Sequence, residues 1–252
     1  MRRSIALLVV LACGAATGQV RPGPPRLPAG FAYLSDVAPT VVQDIRYAGS
    51  HNVLGRPVPG YLAPACVLTQ RAARALAQTQ EELLAAGLTL RVYDCYRPQR
   101  AVNAMLAWSK NAPDQRMKGE DYPRVDKGQI FALGYLSSKS AHTRGSAVDL
   151  TIERLAAASP LPWVAGRHSC IAPFVERYHD GSIDMGTNYD CMDPLSRTDA
   201  PVGGFAGTHR AMLRGVMEKH GFIAQKQEAW WHFTLRSEPF PKTYFDFPVT
   251  SK

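Results

Sequence analysis

Over residues 68–86 the apolar positions Ala72, Ala75, Leu76, Leu83 and Leu84 recur near helical spacing. Thr69 can cap that helix, and Gly87 is a good stop. The period then changes. Leu88, Leu90 and Val92 alternate, as a strand with one apolar face requires. Residues 98–109 read as a second helix, opened by Pro98, and residues 208–220 as a third, stopped by Gly221. Val41, Val42 and Ile45 suggest a strand ending near Arg46 and Tyr47. Residues 137–142 and 147–152 read as two strands folded about Gly145, and residues 230–235 as a last one. Residues 49–60 are turn-rich and read as a surface loop. Residues 111–128 are polar and read as an irregular surface segment. Residues 153–205 are rich in Pro, Gly, Asp and Ser, an excursion that is long for a compact domain. No internal repeat is visible. Helices and strands without regular alternation predict an α+β fold.

The two ends of the chain change this picture differently. Residues 1–18 pair Arg2 and Arg3 with a short apolar run and small residues through Gly18, the pattern of a secretory signal. A second reading is a lipoprotein signal, in which Val10-Leu11-Ala12-Cys13 ends in a lipid-anchored Cys13. Residues 19–30 carry four prolines and form an extended leader. The remaining 31–252 are expected to form one domain, with an insertion within 153–205. No other stretch approaches the roughly 18 consecutive apolar residues of a membrane span.

Of the 252 residues, 46% are hydrophobic, which supplies a sizeable core and argues against disorder. The net charge of +8 falls to about +6 once Arg2 and Arg3 leave with the signal. No basic stripe interleaved with aromatics points to nucleic acid. Five cysteines become four without Cys13, an even number that suggests disulfides in an oxidising compartment. Connectivity is not readable from sequence. The pairing taken as the expectation is Cys170–Cys191, which share one loop-like region, and Cys66–Cys95, the remaining two. No Cys-x-x-Cys spacing favours thiolate ligation of a metal.

Three stretches carry chemistry. In the first, His142 and Asp149 are seven residues apart across Gly145. If Arg144-Gly145 makes a two-residue turn, Ser140, His142, Ala147 and Asp149 share one strand face, and His142 and Asp149 can reach one ion. Imidazole with carboxylate suits zinc. The second is Glu228-Ala229-Trp230-Trp231-His232-Phe233, where His232 is either a core histidine or a third ligand and Glu228 a nearby base. The third is Tyr93-Asp94-Cys95-Tyr96-Arg97-Pro98. Arg97 falls at a strand-to-helix junction, from which a guanidinium can stabilise an oxyanion. Each stretch alone is compatible with an ordinary structural role.

Together they resemble the zinc D-alanyl-D-alanine dipeptidases over about residues 31–247. The resemblance is carried by the Asp-x-Tyr-Arg-Pro motif around Arg97, Ser-x-His-x-x-Gly-x-Ala-x-Asp at 140–149, Asp184-Met185-Gly186-Thr187, and Trp230-Trp231-His232-Phe233, in the family's order. It implies a central, largely antiparallel sheet flanked by helices, with the site on the sheet. It implies His142, Asp149 and His232 as ligands of one Zn2+ per chain, Arg97 as the transition-state stabiliser, and Ser140 and Asp184 lining the substrate site. The substrate would be a small D-amino-acid dipeptide, with Asp184 pairing its ammonium group.

One position departs from the family. The usual catalytic Glu stands three residues before the last His, and here that place is Ala229. Either Glu228 serves as the base from one position earlier, or the base is missing and the protein binds zinc with little turnover. On a regular strand residues 228 and 232 would face the same side, which favours Glu228. A D,D-carboxypeptidase acting on cell-wall stem peptides is the other enzymatic alternative.

Overall fold

The computed structural model describes residues 27–157, 160 and 162–252. The expected signal over 1–18, the anchoring alternative at Cys13 and residues 19–26 of the leader lie outside the described residues. The strands are β1 (Phe31–Tyr33), β2 (Val42–Gln43), β3 (Val67–Thr69), β4 (Leu88–Asp94), β5 (Ala147–Arg154), β6 (Phe222–Ile223) and β7 (His232–Leu235). The helices are α1 (Leu34–Val37), α2 (Gln70–Ala85), α3 (Gln99–Lys110), α4 (Lys118–Asp121) and α5 (Gly204–Lys219). Five strands form a sheet in the order β2-β4-β5-β7-β6, while β1 and β3 pair separately. Only the β2–β4 pairing in that sheet is parallel. The architecture is α+β with a largely antiparallel sheet.

The helix expectations follow the apolar periods closely. Thr69 caps α2 by accepting from Ala72 N, and the left-handed Gly87 ends the turn behind it. Leu76 and Leu83 of α2 are buried, as are Leu90 and Val92 of β4 and Leu150 and Ile152 of β5. Each such aliphatic side chain contributes about 1.5–3 kcal/mol by leaving water. Pro98 sits at the N-cap of α3, one residue ahead of the first helical position.

Several sequence expectations fail for one shared reason: polar segments are buried when their polar groups find partners. Residues 49–60 are no surface loop. Asn52 is buried there, and its amide bonds three carbonyls while Val53 and Leu54 enter the core. Within 111–128, Tyr122 and Lys127 are buried, with Lys127 Nζ bonded to the carbonyls of Asn111 and Asp114. The 153–205 excursion covers the sheet. Tyr93 of β4 donates to Asp180 and stacks on Tyr189 at 4.3 Å, and Glu153 of β5 forms a bridge with Ser182.

The hairpin about Gly145 is also absent. Only 147–154 is a strand, and β4 and β7 already occupy both of its edges. Residues Ala141–Arg144 instead form a 3-10 turn. Ser140 Oγ caps it by accepting from His142 N, and Gly145 ends it at φ +81°. An added Cβ at Gly145 would collide with the Phe31 ring, so the position needs glycine on two counts. The last strand starts at His232 rather than residue 230.

Candidate metal centre and active site

The sheet register brings three side chains together. Asp149 of β5 faces His232 of β7 on one side and Asp94 of β4 on the other. A bulge between Val92 and Asp94 shifts the β4 register and places Asp94, not Tyr93, opposite Asp149. The 3-10 turn delivers His142 from above the strand end. His142 Nε2 lies 3.1 Å from Asp149 Oδ1 and 3.0 Å from His232 Nδ1. His232 Nδ1 lies 2.9 Å from the same Asp149 oxygen. Among the described residues this is the one cluster of three His, Cys, Asp or Glu side chains close enough to hold a metal ion.

The donor set fits zinc. His142 Nδ1 donates to the Cys95 carbonyl at 2.7 Å, which leaves the Nε2 lone pair directed at the cluster. Two imidazoles and a carboxylate are the ligands zinc takes at catalytic sites, where a fourth position stays open. Burial raises the Asp149 carboxyl, but the charge on His142 and hydrogen bonds from both imidazoles outweigh it and hold it well below the usual carboxylate range. Burial disfavours the His232 imidazolium, yet the Asp149 hydrogen bond and the charges of Glu228 and Asp149 raise its pKa.

Arg97 enters the same space from the β4–α3 junction. Its Nε and Nη2 both donate to Asp94 Oδ2 at 2.8 Å, and Nη2 stands 3.5 Å from Asp149 Oδ2. Tyr61 Oη donates to the other Asp94 oxygen at 2.5 Å, and the guanidinium lies over the Tyr47 ring at 4.9 Å. A buried guanidinium oriented this way is preorganised to meet negative charge.

His142, Asp149, His232, Arg97 and Tyr47 line a cavity of about 280 Å³, together with Ser140, Asp190 and Glu228. Glu228 reaches it from a turn, not a strand. Thr198 N donates to the Glu228 carbonyl and Trp230 N to the Ser196 carbonyl, which hold this turn against residues 196–198. The same-face parity of a regular strand therefore does not apply. Glu228 Oε2 is nevertheless buried without a hydrogen-bond partner, 3.7 Å from His232 Nε2. Ala229 pairs by backbone with Arg197.

Asp184 is the expected substrate residue that the structure does not bring to the cavity. Its carboxylate is held by Arg177 and by Gly186 N, closing the turn at the left-handed Gly186. That turn sends the chain back so that Asp190, six residues on, lines the cavity instead. Asp190 accepts from Tyr47 Oη at 3.1 Å and from Val53 N at 3.3 Å. Burial pushes its carboxyl up to about 6, against the lowering effect of Arg97. It is the one non-glycine residue with positive φ among the described residues, and such strain collects at functional sites. Tyr189, beside it, donates to Asp149 Oδ2 at 3.3 Å. Sequence reasoning missed Tyr47, Tyr189 and Asp190; the one available signal was that Asp190 follows three residues after the Asp184-Met185-Gly186-Thr187 motif.

The four cysteines among the described residues lie in two disulfides, Cys66–Cys95 and Cys170–Cys191.

The sequence profile described as D-Ala-D-Ala dipeptidase, of the M15 peptidases, matches residues 28–163 and 156–250. A D-alanyl-D-alanine dipeptidase of Streptomyces coelicolor is 37% identical over 87% of this chain and 98% of its own length. One from Enterococcus faecium is 36% identical over 87% of this chain and 98% of that protein. A solved vancomycin-resistance D,D-pentapeptidase in complex with Zn(II) covers 70% of this chain and 77% of its own, at 13% identity and a TM-score of 0.36.

Proposed function

Because the chain belongs to the D-Ala-D-Ala dipeptidase family of peptidases, we propose that it is a zinc peptidase cleaving D-alanyl-D-alanine or a similar short D-amino-acid dipeptide. His142, Asp149 and His232 would hold one Zn2+ per chain. When bound, zinc supplies a Lewis acid that polarises the peptide carbonyl and acidifies water. Glu228 takes the proton of the attacking water and passes it to the leaving amine. Arg97, braced by Asp94, stabilises the charge developing on the carbonyl oxygen. Asp190 pairs with the free ammonium of the dipeptide, a role that fits its place on the cavity wall better than that of Asp184. Ser140 lines the other side.

The observation that carries this reading is the meeting of His142 Nε2, Asp149 Oδ1 and His232 Nδ1 beside Glu228, whose buried Oε2 accepts no hydrogen bond. That carboxylate favours turnover over zinc binding alone, although Ala229 occupies the family's usual base position. Asp190 favours a free amino terminus over the longer stem peptides of a carboxypeptidase. The test is zinc-dependent release of D-Ala from D-Ala-D-Ala. No release from metal-loaded protein between about pH 5 and 9 rejects this substrate.

The reading extends to place. Two disulfides and the signal-like residues 1–18 support export to a periplasmic or extracellular site, where cell-wall material is the natural source of D-Ala peptides. Among the described residues no helix is long and apolar enough to cross a membrane.

A further inference from the structure

Between the end of β4 at Asp94 and the start of α3 at Gln99, residues 95–98 belong to no strand or helix. Yet this junction supplies Arg97, and it supplies the carbonyl of Cys95 that accepts from His142 Nδ1 at 2.7 Å. Outside a ladder, such a segment needs other ties. Tyr96 N donates to the Val67 carbonyl at 2.8 Å, and Arg97 N to the His142 carbonyl at 3.3 Å. The covalent tie is Cys66–Cys95.

We infer that the Cys66–Cys95 disulfide is a positioning element of the metal site: it holds the Cys95 carbonyl against His142 Nδ1 and thereby sets how tightly the site grips zinc. The inference rests on the zinc reading above. Cys66 directly precedes β3, and β3 is joined to the His142 turn at its far end. Thr69 N donates to the Gly145 carbonyl at 2.7 Å, and Thr69 Oγ1 lies 2.7 Å from Ser146 Oγ. The connections therefore close a ring, from His142 through Gly145, Thr69 and Cys66 to Cys95 and back to the imidazole. Opening the disulfide releases the carbonyl that selects the tautomer and fixes the ring plane of His142. Such outer partners of a ligating histidine commonly govern 10–100-fold of metal affinity. Both cysteines are buried in the core behind the ligand, so the bond constrains the site rather than a surface loop. Cys170–Cys191 holds no partner of a ligating histidine; its link to the site is indirect, through Tyr189, two residues before Cys191, which donates to Asp149 Oδ2, and it serves as the comparison.

The experiment measures zinc affinity by competition with a chromophoric chelator, well below the unfolding temperature. Cys66→Ala/Cys95→Ala and the better-filled Cys66→Ala/Cys95→Val are compared with wild type and with Cys170→Ala/Cys191→Ala. All three variants are expected to lose thermal stability in the metal-free form. Only the first two are expected to lose zinc affinity, by about tenfold or more. In parallel, 15N signals of the imidazoles in metal-free protein should show one His142 tautomer in wild type and a mixture in those two. If neither folds, Cys170→Ala/Cys191→Ala measured before and after reduction with a phosphine, which leaves Cys66–Cys95 as the one disulfide opened, gives the same comparison. Wild-type affinity in the Cys66 and Cys95 variants, with lowered thermal stability, overturns the positioning role while leaving the zinc reading intact. A wild type that binds no zinc overturns both.

Discussion

Glu228 Oε2 lies 3.7 Å from Nε2 of His232, on the imidazole nitrogen that does not face Asp149 and His142. The carboxylate is thus beside the ligand cluster without being part of it, and its buried oxygen has no hydrogen-bond partner. Nε2 points away from the cluster, so this contact by itself is that of a carboxylate backing an imidazole, and the base role proposed for Glu228 further requires its carboxylate to reach the attacking water. Glu228→Gln keeps the shape and removes the basicity. It is expected to lower kcat by about 10²–10⁴-fold while zinc content, measured by elemental analysis, is unchanged. A drop of less than tenfold would assign the base elsewhere.

Glu228 comes from a turn held against residues 196–198, not from a strand, and so divides the parts of this site that were legible in sequence from those that were not. The three residues that meet in the cluster were legible, because His142, Asp149 and His232 sit in short motifs whose residue types already point to metal chemistry. The backbone that presents them was not. Gly145 is demanded equally by a hairpin turn and by the C-cap of a 3-10 turn, since both need the left-handed region. What decides between them is that β4 and β7 fill both edges of β5, a long-range fact. Helices α2, α3 and α5 were legible because a 3.6-residue period is local. The covering of the sheet by residues beyond 170 was not, because it depends on buried polar pairs such as Tyr93 with Asp180 and Arg46 with Asp180.

Asp190 tests the ammonium assignment. Asp190→Asn removes the charge and keeps the contacts to Tyr47 and Val53 available. KM for D-Ala-D-Ala should rise about 10–100-fold, the worth of a charged hydrogen bond, with a smaller effect on kcat. In metal-free protein burial lifts this carboxyl to about 6, above the ordinary unfolded value near 3.9. Its protonation therefore contributes stability that is full below about 3.9 and lost as pH rises through about 6. Metal-free Asp190→Asn should accordingly gain stability over wild type above that pH, by calorimetry at paired pH values. Equal stability difference at pH 4 and pH 8 would show that Asp190 is not so shifted.

The same residue separates a dipeptidase from a carboxypeptidase. An acylated amino terminus cannot pair with Asp190 and leaves the buried carboxylate facing an amide. N-acetyl-D-Ala-D-Ala should therefore be cleaved with kcat/KM at least about 10²-fold lower than D-Ala-D-Ala, given the cost of a buried unpaired polar group. Comparable rates on the two substrates would favour the stem-peptide reading, and Asp190→Asn should then narrow no difference between them.

The ligand cluster makes opposite demands on pH with and without metal. In metal-free protein the Asp149 hydrogen bond and the neighbouring negative charges raise the His232 pKa despite burial. That stability is fully present below the ordinary histidine value near 6.5 and is lost as pH rises through the raised folded value. Asp149 works the other way: its depressed pKa contributes stability above the ordinary carboxylate value near 3.9, lost as pH falls further. Zinc needs the imidazole unprotonated, so its binding energy adds to folding only where the proton has left. Thermal melting with and without saturating zinc should therefore show a metal-dependent increment that is large at pH 8 and shrinks steadily toward pH 5. Asp149→Asn removes both a ligand and the larger of the two influences that raise the His232 pKa, leaving the charge of Glu228. Its small remaining increment should persist to lower pH than in wild type, because the proton competes less well for Nδ1. An increment independent of pH across that window would mean that zinc is not held by His232.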